Sequence, residues 1–160
     1  MNARKLTSLA GGALLFAAAL AQAQVPQYGQ NITLDQARKV AAAAEAEARK
    51  NSWPMAIAIV DNAGQMVYFQ RSDNTQTGSI LVAQDKAVTA AMYRRTTKVI
   101  QDGVAGGGGG LRLLTLRGAS AIEGGVPLTI DGKIVGGIGV SGMAADQDGV
   151  VAAAGVAALK

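Results

Sequence analysis

Apolar and polar positions change period several times along the chain, and each change marks an element. In "TLDQARKVAAAAEAEARKN" the residues Leu34, Ala37, Val40, Ala41, Ala44 and Ala48 recur at three- and four-residue spacing, which predicts a helix with one apolar face. Thr33 and Gln36 stand at capping-box spacing and mark its start. A face built mostly of alanine packs close against something flat. Two β-branched or alternating runs follow, Met55–Asp61 and Gln65–Arg71, separated by the turn residues "NAG"; they predict a hairpin.

After the polar loop "SDNTQTG", Ser79 is expected to cap a second helix, "ILVAQDKAVTAAMYRR", whose Ile80, Ala83, Ala87 and Ala91 share a face. A short helix should follow, with Thr96 or Thr97 as cap and Gly103 as stop. Beyond five consecutive glycines, Gly106–Gly110, the runs Val126–Ile130 and Lys133–Val140 flank Asp131-Gly132, a strong hairpin signal. A further strand is expected around Ala119–Ile122, and "DQDGVVAAAGVAALK" reads as a closing helix of small residues. This order predicts one antiparallel sheet with helices packed on it.

At 160 residues and 49% hydrophobic, the chain has the length and apolar content of one domain. Its first residues change the picture. Arg4 and Lys5, an apolar run through Leu20 and the small-residue site ending at Ala23 have the pattern of a secretory signal, so residues 1–23 are expected to be removed, leaving a domain over 24–160. The product should be exported, to the periplasm or beyond, with no membrane partner once processed. Loss of the two cations takes the formal net charge from +4 to +2. Basic residues are scattered and aromatics few, so no nucleic-acid partner is expected. The absence of cysteine and histidine excludes a disulfide framework, Ser-His triads and zinc hydrolases, and no metal site is expected. The glycine run leads into Leu111, Arg112 and Leu113, without the lysine and hydroxyl of a phosphate loop. It is read instead as a flap over a ligand cleft or as a plain connector.

Taken in order, "TLDQARKVAAAAEAEA", "PMAIAIVDNAGQMVYFQRSD", "SILVAQDKAVTAAMYRR", "GGVPLTIDGKIVGGIGVSG" and "DQDGVVAAAGVAAL" resemble the GlcG/HbpS family of small haem-binding or haem-associated proteins. The resemblance covers nearly all of the chain after the leader. It implies an α/β (α+β) profilin-like fold, with a five-stranded antiparallel sheet and flanking helices, and assembly as dimers or larger homo-oligomers. It also implies a role as a secreted haem binder, a haem-degrading redox accessory, or a protein encoded beside glycolate-type catabolism.

Haem needs an apolar slot, cations or N–H donors for two propionates, and usually an iron ligand. Arg71, Lys86, Arg94 and Arg95 are the candidates for the propionates. Some relatives use a threonine on iron and others a histidine that is absent here. That leaves Thr96, Tyr28, Tyr68, Tyr93, Met55, Met66, Met92 and Met143, although Met55 and Met66 equally suit core gaps and Tyr93 a rim. Lys86, among Ala83, Ala87 and Ala90, lies close to an apolar face and would need a carboxylate such as Asp61 or Glu123. In "EGGVP", Gly124 and Gly125 offer backbone N–H groups and close approach, and Glu123 a base. The glycines of "GIGVSG" suit close helix packing better than dinucleotide binding. The reading is an exported, homo-oligomeric binder of a small molecule, haem or a related tetrapyrrole. The alternatives are an enzyme acting on a small hydroxy- or oxo-carboxylate, with Glu123, Lys86 or a tyrosine as base and Arg71 or Arg95 as clamp, or an accessory subunit of a catabolic pathway.

Overall fold

The computed structural model describes residues 25–159, so the leader-like residues 1–23 lie outside it. Its elements are α1 (Leu34–Lys50), β1 (Ala56–Val60), β2 (Met66–Arg71), α2 (Ser79–Tyr93), α3 (Thr97–Ala105), a 3-10 helix (Gly108–Thr115), β3 (Gly125–Ile130), β4 (Lys133–Ser141) and α4 (Ala145–Ala157). The strands form one antiparallel sheet in the order β2-β1-β4-β3. It has four strands, one fewer than expected: residues 119–122 carry no strand. Beyond the end of β1 the segment Gln27–Ile32 instead pairs with β4, where Gly29 N donates to Ile134 O (2.7 Å) and Ile32 N to Val135 O (2.8 Å).

Side-chain size sorts the two faces of the sheet. Along β1, Ile57 and Ile59 point to one side and Ala56, Ala58 and Val60 to the other, as strand alternation requires. Ile57 and Ile59 join Ile138 and Val140 of β4 under α1 and α4, each buried isoleucine being worth about 2–3 kcal/mol. The opposite face is nearly without side chains. There the alanines of β1 meet Ala83, Ala87 and Ala91 of α2, and β4 contributes Gly137 and Gly139. A Cβ on Gly139 would overlap the carbonyl oxygen of Ala83, and one on Gly137 would stand 2.5 Å from that of Ala87. Helix α2 therefore lies backbone to backbone on the sheet.

Local signals set most boundaries. Thr33 Oγ1 accepts from Gln36 N (3.2 Å) and Gln36 Oε1 from Thr33 N (2.9 Å), completing the capping box, although Leu34 proves exposed. Asp131 (φ 49°) and Gly132 (φ 72°) make the left-handed pair of a tight β3–β4 turn. Other expectations give way. Gly78, not Ser79, is the N-cap of α2; Ser79 is buried, its hydroxyl 3.1 Å from that of Ser141. Thr96 caps α3, which runs through Gly103 to Ala105, with Leu113 resting on the bare surface of Gly103. The glycine run is built into regular elements: Gly106 ends α3 and Gly108–Gly110 open the 3-10 helix.

Replacing Gly139 with alanine should lower stability by about 3 kcal/mol, the upper range for overpacking, because the obstacle is backbone and cannot rotate away. Gly78→Ala, at a site with open space around it, should shift stability by under about 1 kcal/mol. Chemical denaturation of the two variants measures the contrast.

Candidate functional site

The tight seat of α2 presses Lys86 into the interior, where it is 0% exposed. Its Nζ donates to Asp148 Oδ2 (2.6 Å) and to Val140 O (3.0 Å). Asp148 stands in the first turn of α4, 2% exposed, and its Oδ1 accepts from Met143 N (3.2 Å). Burial pushes the Lys86 ammonium below its ordinary value and the Asp148 carboxyl above its own, and the hydrogen bond between them opposes both displacements. The partner is thus Asp148 rather than Asp61 or Glu123. Glu123 acts on Lys86 only through its field, and Asp61 is occupied in the β1–β2 turn, accepting from Ala63 N and Gln65 N.

Gly124 and Gly125 close over this pair. A Cβ on Gly124, whose φ is +125°, would fall 2.9 Å from Lys86 Nζ, so only glycine fits the lid. The N–H of Gly125 is not free for a ligand: it donates to Thr97 Oγ1 (2.8 Å). Glu123 is held from behind, its N–H on Gln101 Oε1 (2.8 Å), with its carboxylate 3.9 Å from Lys98 Nζ. The structure therefore gathers Lys86, Glu123, Gly124 and Gly125 as the sequence suggests, but as a sealed ionic joint between α2, β4 and α4.

Tyr93, Arg94, Arg95 and Thr96 form a separate group at the α2–α3 corner. Arg94 caps α2 in the left-handed conformation (φ 54°), bonds Pro26 O (3.3 Å) and lies 5.3 Å over the ring of Tyr28. Tyr93 Oη donates to Arg117 O (2.6 Å), Arg95 Nε to Tyr93 O (3.1 Å), and Thr96 Oγ1 accepts from Val99 N (3.4 Å). Arg94 and Arg95 follow the last helical turn rather than occupy it. Of the remaining iron-ligand candidates, Met55 is fully buried, Met66, Met92 and Met143 are exposed, and Tyr68 Oη donates to Gln70 Oε1 (3.1 Å).

Arg71 lies elsewhere, in an open cleft of about 770 Å³ at the end of the sheet where α1 stops and β2 runs out. Trp53 and Pro54 contribute its apolar surface; Arg49 and Arg71 line it as cations, and Glu45 and Asp73 as carboxylates. Trp53 is anchored by its N–H on Ala48 O (2.9 Å), just after Ser52 turns the chain at φ 57°. Arg49 Nε donates to Glu45 Oε1 (2.8 Å), and this bond, then the Gln70 amide, hold Glu45 below its ordinary value. Glu45 therefore contributes stability above its ordinary 4.5, lost as pH falls through the lower folded value. Arg71 makes no ion pair among the described residues. The sequence singles out Arg71 but not Trp53 or Arg49. The available signal was the chain's one tryptophan in "NSWP", directly after the helix. A smaller cleft, about 470 Å³, lies by Asn31, Gln36, Asp131 and Lys133. Among the described residues no cluster of three metal-ligating side chains occurs.

A family model described as "Haem degrading protein HbpS-like" matches residues 32–157. Protein GlcG of Escherichia coli (strain K12) is 37% identical over 105 residues, which cover 66% of this chain and 77% of GlcG. Among solved structures, that of HbpS superposes with a TM-score of 0.76 at 32% identity, covering 84% of this chain and 94% of HbpS. That of a PduOC:heme complex superposes with a TM-score of 0.72 at 28% identity, covering 80% and 94%.

Replacing Lys86 with methionine should cost about 3–5 kcal/mol by stranding Asp148, whereas Lys86→Met together with Asp148→Leu should recover most of that loss. Denaturant midpoints of the single and double variants check the coupling.

Proposed function

The chain belongs to the HbpS-like family, and from that membership we propose that it binds haem, or a flat tetrapyrrole carboxylate of the same shape, in the cleft between the ends of α1 and β2. The observation that carries this reading is the presence, in one open concavity of about 770 Å³, of Trp53 and of an Arg71 without an ion pair among the described residues. An indole and a proline ring offer flat apolar surface to a macrocycle, and guanidinium forks match propionate carboxylates. The heme complex of a structural relative supports the ligand class.

The lining fits the ring and its carboxylates, and offers the iron only oxygen donors. Ser52, Ser72, Asn74 and the carboxylates of Glu45 and Asp73 are within it; histidine, cysteine, methionine and tyrosine, the usual side chains on haem iron, are not. Haem supplies a redox-active iron when bound. Arg71 binds a carboxylate, Trp53 orients the ring, and Glu45 keeps Arg49 partly engaged. Export to the periplasm or beyond and assembly as a homo-oligomer complete the proposal. The leader pattern of residues 1–23 supports the first, and the unpaired outer edge of β2 the second.

Titration with haemin should give a saturable Soret shift at micromolar concentration, with the broad spectrum of weakly ligated iron. Arg71→Gln or Trp53→Ala should weaken binding roughly tenfold, as for loss of one charge-assisted or stacked contact. A titration without saturation contradicts haem as the ligand, and one indifferent to both substitutions contradicts the cleft. Glu45→Gln, by releasing Arg49, should instead tighten haemin binding about threefold, since an exposed ion pair holds its partners by under about 1 kcal/mol. Equal or weaker binding by that variant would remove Arg49 from the site.

A further inference from the structure

Between Tyr93 and Gly118 the chain leaves the sheet and returns, with five cations, Arg94, Arg95, Lys98, Arg112 and Arg117, against the single carboxylate of Asp102. That carboxylate is 2.9 Å from Lys98. The outer part of the excursion, 103–118, contains no acid. It is fastened at two points: Leu113 packs on Gly103, and Arg117 O accepts from Tyr93 Oη.

Within this arm, Leu111 and Leu114 are 50% and 63% exposed. In a 3-10 helix residues three apart eclipse one another, so the two leucines form one apolar ridge with Leu113 turned inward as the anchor. Arg112 stands between them in sequence, and Arg117 and Arg95 flank Tyr93. Neither of the two clefts described is lined by arm residues. The arm offers a projection with positive charge around it.

We infer that the ridge of Leu111 and Leu114 inserts into the interfacial layer of an anionic lipid bilayer, with Arg112, Arg117 and Arg95 resting on the headgroups. Charge chooses the occupant. A second copy meeting this face about a two-fold axis would bring one acid-free, positively charged arm against another. An anionic bilayer supplies an apolar layer at shallow depth and negative charge above it, and requires no matching shape. No described helix is long and apolar enough to cross a membrane, so the contact is peripheral. It departs from the expectation that the processed chain has no membrane partner.

The test is flotation of the exported, processed chain with vesicles of phosphatidylcholine alone or mixed with phosphatidylglycerol. The chain should float with the mixed vesicles only and be released by salt. Arg112→Gln and Arg117→Gln should each lower partitioning about fivefold, and Leu111→Ser with Leu114→Ser should abolish it. All four side chains are exposed, so the variants should melt as the parent does; should the leucine pair unfold, the arginine variants still decide. Three results would overturn the inference: no flotation with mixed vesicles, flotation indifferent to the arginine substitutions, or retention by an acidic polypeptide such as polyglutamate without retention by vesicles. In the first of these cases, loss of self-association in the arm variants would reassign the ridge to a second copy.

Discussion

Helix α2 lies on a strip of sheet that has almost no side chains, and the rest of the molecule is arranged around that contact. Gly137 and Gly139 of β4 and the alanines of β1 leave room for the helix backbone itself. The reward is dense dispersion contact, and the constraint is that no side chain fits at Gly137 or Gly139, bulk on this face being confined to Val60, Phe69 and Val88. Bulk is displaced to the opposite face, where isoleucines and valines meet α1 and α4. A lysine in the inner row of α2 then has only one direction to go, along the layer to Asp148 under the glycine lid. Burying that pair is costly unless every partner is in place. Val140 O and Met143 N supply the remaining bonds.

The same contact bears on where a guest can sit. A protein that holds a flat ligand between helix and sheet needs separable layers, and here the layers are joined by backbone overlap and by an ion pair. The space lies at the end of the sheet, where α1 has stopped and Ser52 turns the chain to present Trp53. Recognition there works by surface and charge. Arg71 makes no ion pair among the described residues, while Arg49 is tempered by Glu45.

The sequence announces those features that depend on neighbours in the chain. Both hairpins, the capping box at Thr33, the cap at Thr96 and the four helices follow from local spacing, and the glycines of "GIGVSG" declare a close packing surface. What escapes depends on distant partners. Lys86 reads as close to an apolar face because its flanking alanines are visible, but its partner lies 62 positions away and is one acid among several. A fifth strand at 119–122 is plausible by composition, yet the segment that pairs with β4 beyond the end of β1 is Gln27–Ile32, which has no strand pattern of its own. Arg71 could be singled out as a cation after a strand. Trp53 and Arg49 enter the same cleft only once α1 is seen to end beside β2.

Iron supplies its own label for the decisive measurement. Anomalous diffraction at the iron edge, from crystals grown with haemin, should place a single peak in the cleft beside Trp53, with α2 still seated on Gly137 and Gly139. A peak between α2 and the sheet, near Lys86, would contradict the account, because it would mean that the backbone contact opens to admit the ligand.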